Sequence, residues 1–153
     1  MADREKIKNK KWIVIIDDDE SSLHLLVWML YEKGESVAGF TNELAALEFL
    51  SLRAGRIKAV ITDLSMPVMD GLTLAEQIRE NEKVRDLDPV PMAFLTAHRQ
   101  SAGGATERVA DKCGVSKIWH KPEDTPELPE KIESWLAEVA PKIETKEIEQ
   151  NAL

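Results

Sequence analysis

Residues 12–19 read Trp-Ile-Val-Ile-Ile-Asp-Asp-Asp, an uninterrupted apolar run that ends in three aspartates. A short apolar run without alternation is typical of a strand that is buried on both faces, as in a parallel sheet. Ligands of open parallel α/β sheets bind beyond the carboxyl ends of the strands. The aspartates that follow this run are therefore candidates for a functional site as well as markers of a strand end.

Similar apolar runs recur along the chain and predict four more strands. These are residues 36–40, which form the weakest of them, and residues 59–62, 92–95 and 117–119. The intervening segments carry apolar residues at helical spacing. The order is β-α repeated five times, and right-handed crossovers then give a doubly wound α/β sheet in a single domain.

Composition agrees with one globular domain and narrows the possible functions. The chain has 153 residues, of which 43% are hydrophobic, a net charge of −8 and a pI near 5.0. This acidity disfavours direct nucleic-acid binding. Cys113 is the only cysteine, which excludes a disulfide framework within the chain. Because no apolar run approaches the length of a bilayer span and the charged start does not resemble a signal peptide, we expect a cytoplasmic protein.

The chain is predicted to have three parts. Residues 1–10 form a charged N-terminal extension, residues 11–140 form the domain, and residues 141–153 form a polar tail. The tail is predicted to be either a short extra helix or disordered.

Polar side chains follow four of the predicted strands and would meet at one edge of the sheet. They are Asp17, Asp18 and Asp19, then Asp63, Thr96 and Lys121. Taken singly, each is more often a turn, a helix cap or the start of a loop. Together, the clustered carboxylates need a cation between them, and oxygen ligands of this kind suit Mg²⁺. Asp63 is then a carboxylate nucleophile able to form an aspartyl phosphate.

Three motifs around these positions resemble those of bacterial response-regulator receiver domains, the CheY-like family. Residues 63–71, Asp-Leu-Ser-Met-Pro-Val-Met-Asp-Gly, resemble the phosphoacceptor loop at every signature position. Leu95-Thr96-Ala97 and Lys121-Pro122 match the motifs of the fourth and fifth strands. The resemblance extends from about Lys11 to Val139. It implies a flavodoxin-like (βα)5 fold with strand order 2-1-3-4-5 and a Lys-Pro bond that is commonly cis.

The resemblance also implies roles for individual residues. Asp63 is the expected phosphoacceptor, Asp18 a direct Mg²⁺ ligand, and Asp17 a ligand acting largely through water. The backbone carbonyl of Ser65 supplies a further metal ligand, whereas Asp19 belongs to the helix that follows and is not a ligand. The phosphoryl donor is expected to be a histidine kinase or a phosphotransfer protein, and the chain a switch without an enzymatic activity of its own.

Thr96 and Lys121 are expected to contact the phosphoryl group. Thr96 offers a hydroxyl to a phosphoryl oxygen, and Lys121 neutralises the side opposite Mg²⁺. We expect the Lys121 ammonium to make this contact only in the phosphorylated protein, so that Lys121→Ala impairs signalling more than folding.

The chain departs from the family pattern at two points. The family usually has Tyr or Phe three residues before the lysine, where this chain has Ile118. The segment from Thr96 to Lys121 is slightly long and contains Gly103-Gly104, which weakens the helix predicted between residues 100 and 113. Switching is expected to move that weak helix instead of an aromatic side chain.

Three other interpretations agree with parts of the sequence. Haloacid-dehalogenase-type phosphatases also use an aspartate nucleophile after a strand, and Asp17 and Asp19 have their Asp-x-Asp spacing. However, residues 20–22, Glu-Ser-Ser, do not continue that pattern. An interaction module that has lost phosphorylation is disfavoured, because all the site residues are present. The chain could also be the receiver part of a longer protein.

The first predicted helix is apolar nearly all round. Its core-facing stripe is predicted to be Leu25, Leu26, Met29 and Leu30, which leaves Leu23, Val27, Trp28 and Tyr31 on other faces. Such a helix is either covered or offers a binding surface. The resemblance favours docking of the phosphodonor, and a homodimer is possible. The alternative is burial beneath the tail through Ile143 and Ile148.

Overall fold

The structure is a computed structural model that describes Arg4, residues 10–97 and residues 105–151. Of residues 105, 106, 109 and 140–151 it describes the backbone alone. Within residues 10–97 and 105–151, five strands and five helices alternate. The strands are β1 (Trp12–Ile16), β2 (Val37–Phe40), β3 (Ile57–Thr62), β4 (Met92–Thr96) and β5 (Val115–His120). The helices are α1 (Glu20–Glu32), α2 (Glu43–Leu52), α3 (Gly71–Val84), α4 (Ala105–Lys112) and α5 (Leu128–Asn151).

All five strands lie in one parallel sheet in the order β2-β1-β3-β4-β5. The predicted fold and strand order are therefore confirmed. The central strands are buried on both faces, as their unalternated sequences predicted. In β1, Ile13 and Ile15 face one hydrophobic core, and Val14 and Ile16 face the other. This alternation allows every residue of a short apolar strand after Trp12 to be buried.

The two faces of the sheet are covered by different helices. The core that includes Ile13 and Ile15 is closed by α1 and by α5, whose Trp135 stacks edge-on against Trp119 of β5 with ring centroids 5.5 Å apart. The other core is closed by α2, α3 and the end of α4. This arrangement leaves the carboxyl ends of the strands open as a rim between the two layers.

The buried stripe of α1 differs from the predicted one. Leu23, Leu26 and Leu30 are buried at spacings of three and four residues, whereas Leu25 is 47% exposed. The prediction placed Leu25 in the core and Leu23 outside it, and both assignments are wrong. The helix starts at Glu20, and its rotation about its own axis is set by packing on the sheet, which an apolar pattern all round the helix does not reveal.

The remaining exposed apolar residues of α1 form a continuous strip. Leu25, Trp28 and Tyr31 are spaced three residues apart, and Trp28 and Tyr31 are 59% and 69% exposed. We refer to these three side chains as the α1 strip.

The predicted weak helix exists in part, and the tail is helical along its backbone. Helix α4 covers Ala105–Lys112; Gly103-Gly104 and the other residues from 98 to 104 lie outside the described residues. The backbone of α5 continues to Asn151 through the segment predicted as the tail. The side chains of Ile143 and Ile148 lie outside the described ones. Within the part of the chain that the structure describes, no helix combines the length and apolar character that crossing a membrane requires.

Candidate functional site

Three of the predicted carboxylates converge at the rim of the sheet. One carboxylate oxygen from each of Asp17, Asp18 and Asp63 lies within 4.8 Å of the others. The backbone explains the convergence, because the Asp63 N–H donates to the Ile16 carbonyl at 2.9 Å, directly beside the end of β1. Asp17 is 2% exposed, Asp63 is partly buried and Asp18 is exposed. The cluster therefore opens to solvent on the Asp18 side.

Lys121 reaches this cluster from the turn after β5. Its Nζ donates to Asp17 Oδ2 in a short contact and lies 3.3 Å from Asp63 Oδ2. This ammonium is therefore already paired with carboxylates in this structure, whereas its contact with a phosphoryl group stays a prediction. A long cation beside several carboxylates pairs with them before any phosphoryl group arrives, since an unpaired charge in so enclosed a place is costly.

Burial and pairing act in opposite directions on this pair. Burial raises the pKa of the Asp17 carboxyl, although hydrogen bonds from Lys121 and from the Asp19 N–H act against it. Burial also disfavours the charged ammonium of Lys121, but contacts with Asp17 and Asp63 outweigh it and raise the Lys121 pKa. Because the Lys121 ammonium faces two carboxylates and its pKa is raised, Lys121 remains charged in this pair.

The loop after β3 holds Asp63 in place through close backbone packing. The Gly71 N–H donates to the Leu64 carbonyl at 2.8 Å, and a Cβ on Gly71 would lie 2.3 Å from the Asp63 carbonyl oxygen. No other residue type can occupy position 71 without displacing the loop that carries Asp63. The Asp70 side chain accepts a hydrogen bond from the Thr73 N–H at 2.7 Å and so caps α3. The last two residues of the predicted motif thus have structural roles.

The other predicted site residues lie around this centre. The Ser65 N–H donates to Asp63 Oδ1 at 3.2 Å, and Ser65 itself is exposed. Thr96 is fully buried at the end of β4, and its carbonyl accepts a hydrogen bond from the Lys121 N–H at 2.9 Å. Asp19 is the N-cap residue of α1 and does not belong to the group of three converging carboxylates. Ile118 is partly buried against the core formed with α2, α3 and α4.

The donor set fits a hard divalent cation. All three converging groups are carboxylates, which together carry up to three negative charges against the single positive charge of Lys121. Mg²⁺ prefers such oxygen ligands and keeps several waters, and the exposed Asp18 leaves room for them. The residues present therefore suit Mg²⁺, which the carboxylates of Asp17, Asp18 and Asp63 could hold.

Residues 13–133 match the family described as response regulator receiver domain. The chain belongs to the response regulator receiver family. The receiver is 32% identical over 133 residues to the chemotaxis protein CheY-3 of Vibrio cholerae, covering 84% of this chain and 95% of that protein. It is therefore a receiver domain of two-component signal transduction. The Lys121–Pro122 peptide bond is cis, as the family resemblance implied.

The receiver also matches segments of larger proteins. It is 29% identical over 123 residues to the sensor histidine kinase GacS of Pseudomonas protegens, covering 80% of this chain but only 13% of the kinase. Among solved structures, it matches the Saccharomyces cerevisiae receiver domain of Ssk1, crystallised with the histidine phosphotransfer protein Ypd1. That match has a TM-score of 0.70 and 26% identity and covers 84% of this chain and 90% of the other.

Two charged residues of this receiver that the sequence patterns do not indicate lie beside the turn that carries Lys121. Asp124 and Lys131 contact each other beside the turn that carries Lys121. Neither lies at the end of a strand, which was the criterion used to find candidates. The available signal was a charged pair seven residues apart around the start of a helix, which is too common a pattern to indicate a role.

Proposed function

We propose that this receiver is phosphorylated on Asp63. A carboxylate oxygen of Asp63 attacks the phosphorus of the donor and forms an O–P bond. The donor's N–P bond, or the O–P bond of a small phosphodonor, breaks at the same time, and its electron pair leaves with the donor group. Hydrolysis of the aspartyl phosphate later returns the carboxylate and inorganic phosphate.

One observation carries this proposal: Asp63 is the only member of the carboxylate cluster that lies in the tightly packed loop after β3, with Lys121 Nζ 3.3 Å away. Phosphoryl transfer depends mainly on positioning and charge neutralisation. The Ser65 N–H and the Lys121 ammonium hold the Asp63 carboxylate from two sides. Thr96 is proposed to donate its hydroxyl to a phosphoryl oxygen once the group is attached.

Mg²⁺ is proposed to bind Asp17, Asp18, Asp63 and the Ser65 carbonyl. When bound, it would neutralise negative charge on the phosphoryl oxygens. The three clustered carboxylates support this proposal, because they repel one another strongly without a cation.

The proposed function is tested by labelling with acetyl phosphate. Incubation with Mg²⁺ is expected to add one phosphoryl group to the intact protein, as measured by mass spectrometry, and excess EDTA is expected to abolish the addition. Labelling that proceeds equally in EDTA would contradict the metal site.

The amount of phosphate released per protein molecule distinguishes this switch from a phosphatase. We expect slow release from the labelled protein, whereas rapid multiple-turnover hydrolysis of phosphoesters would support the enzyme.

We further propose that the α1 strip contacts the phosphodonor, a histidine kinase or phosphotransfer protein. Helix α1 starts directly after the three aspartates, and Leu25, the first residue of the strip, lies about 8 Å along the helix axis from that start. Leu25, Trp28 and Tyr31 offer apolar surface from the second turn of α1 to its end. The Ssk1 receiver, crystallised with Ypd1, supports a phosphotransfer protein as the partner. Leu23, which was first considered part of this surface, is buried and belongs to the core.

Replacing Trp28 by Glu is expected to slow phosphoryl transfer from the cognate donor by about thirtyfold, because losing a central aromatic contact costs about 2 kcal/mol. Labelling by acetyl phosphate is expected to be unchanged, because Trp28 does not contact the carboxylate cluster. Transfer is measured as the rate of loss of label from the phosphorylated donor at sub-saturating receiver.

Leu52→Glu is the matched control. Leu52 is 73% exposed at the far end of α2, on the opposite face of the sheet from α1. We expect its transfer rate to equal that of the wild type. Equal slowing by both substitutions would show a general effect of added negative charge and would contradict docking through the α1 strip.

A further inference from the structure

The turn that carries Lys121 is closed by Asp124 at two points. The Asp124 Oδ2 accepts a hydrogen bond from the His120 N–H at 2.7 Å, and the Asp124 N–H donates to the His120 carbonyl at 2.9 Å. His120 immediately precedes Lys121 and ends β5. Asp124 is therefore hydrogen-bonded to the end of β5 through both its side chain and its backbone. Lys121 lies within the turn that these two hydrogen bonds close.

Asp124 is itself held by helix α5. Lys131 Nζ donates to Asp124 Oδ1 in a short contact, and Lys131 lies in the first turn of α5. Both carboxylate oxygens of Asp124 are thus occupied, one by the strand and one by the helix. The His120 backbone N–H, followed by Lys131, lowers the pKa of Asp124. The carboxylate consequently stays charged at neutral pH, and the contact with Lys131 persists.

The closed turn affects the site because the Lys121 ammonium lies at the end of a flexible side chain. A lysine carries about 2 kcal/mol of side-chain conformational entropy, so the place its ammonium reaches depends on where the backbone starts. On one side, the Lys121 N–H is fixed to the Thr96 carbonyl at 2.9 Å. On the other side, among the hydrogen bonds of the described residues, the turn is closed by Asp124 and by the Thr125 N–H, which donates to the Pro122 carbonyl at 3.2 Å.

We propose that Asp124, fixed by Lys131 of α5, is a positioning residue that directs the Lys121 ammonium onto Asp17 and Asp63. The inference rests on the proposed phosphorylation of Asp63 and deepens it, because it links helix α5 to the cation of the site. Asp124 does not touch the reacting atoms, and its effect passes through Lys121.

A double-mutant cycle on the full chain tests this. Asp124→Ala is expected to lower the rate of acetyl-phosphate labelling by about tenfold, because small displacements of a catalytic group have large effects. In a Lys121→Ala background, the same substitution is expected to change the rate by less than about twofold, since coupled residues are not additive. A tenfold loss in both backgrounds would overturn the proposal and show that Asp124 only supports the fold.

Two further variants keep the comparison decisive if Asp124→Ala fails to fold. Lys131→Met leaves the His120–Asp124 hydrogen bonds in place and is expected to slow labelling about threefold in the wild type and not in Lys121→Ala. Glu130→Gln is the matched control. It breaks an exposed 3.0 Å ion pair between Lys33 and the same turn of α5 and is expected to leave labelling unchanged. A loss with Glu130→Gln equal to that with Lys131→Met would overturn the proposal.

An NMR measurement on the unphosphorylated protein separates this proposal from the proposed function. With ¹³Cε-labelled lysine, the Lys121 signal is expected to shift towards that of a free lysine in Asp124→Ala and in Lys131→Met, but not in Glu130→Gln. If the wild-type protein takes up no phosphoryl group, phosphorylation of Asp63 is contradicted. The NMR signal of Lys121 still tests the positioning role in that case. An unshifted Lys121 signal in both variants would overturn the positioning role, whatever the labelling shows.

Discussion

The Asp63→Asn variant is expected to take up no phosphoryl group from acetyl phosphate, at a detection limit of about one part in a thousand of the wild-type rate. An amide of nearly the same shape preserves the loop but is not a nucleophile. The measurement is intact-mass spectrometry after incubation with Mg²⁺. We also expect this variant to melt at a higher temperature than the wild type in EDTA, because one of three mutually repelling carboxylates is removed.

Asp19→Asn provides the matched control for that substitution. Asp19 lies next to the cluster in sequence, but it occupies the N-cap position of α1, where its side chain accepts a hydrogen bond from the Ser22 hydroxyl, and it does not converge with the other three aspartates. It is expected to retain phosphorylation within a few-fold of the wild-type rate. Labelling that persists in Asp63→Asn and disappears in Asp19→Asn would mean that the acceptor has been assigned to the wrong strand end.

Lys121→Ala is expected to have two large effects. The labelling rate should fall by about a hundredfold, as for loss of one preorganised group that stabilises transition-state charge. In EDTA, the free energy of unfolding should also fall by about 3 kcal/mol, because Asp17 is 2% exposed and loses its ammonium partner. Urea denaturation with and without Mg²⁺ measures the second effect, and Mg²⁺ is expected to restore part of the lost stability.

The pH dependence of that stability has a definite sign. The pKa of Lys121 is raised in the folded protein, so its contribution is fully present below the ordinary lysine pKa and is lost as pH rises through the folded value. Lys58→Ala is the control, since it breaks a half-exposed 2.9 Å ion pair with Glu35 and should cost under about 1 kcal/mol. Equal stability of Lys121→Ala and wild type in EDTA would contradict a paired lysine.

The strands and their convergence could be predicted because both depend on short-range patterns. A short unalternated apolar run such as residues 12–16 is typical of a strand that is buried on both faces. Parallel strands then bring their carboxyl ends to one edge of the sheet. The rotation of α1 could not be predicted, because Leu23, Leu25 and Leu26 are chemically equivalent leucines. Only their packing on the sheet decides which one is exposed.

The surroundings of charged residues could not be predicted from the sequence either, and for a common reason. Glu43 begins α2 and resembles a solvated first-turn residue, yet it is 1% exposed and its Oε1 finds no hydrogen-bond partner among the described residues. Asp124 resembles an ordinary loop residue, yet it holds the turn around Lys121. The environment of a charge is set by residues distant in sequence, and propensity carries no information about them. The pairing of Lys121 with Asp17 likewise joins residues that lie far apart in the sequence.

The separation of the two cores has an evolutionary consequence. The α1 strip lies over the core shared with α5, whereas Ile118 packs into the core shared with α2, α3 and α4 on the other side of the sheet. On the proposed docking of the phosphodonor at the α1 strip, substitutions that change donor recognition are expected in the layer of α1 and α5, apart from Ile118 and the layer of α2, α3 and α4. After gene duplication, we expect the proposed docking surface to diverge without disturbing the opposite layer, because the sheet and the carboxylate cluster lie between them.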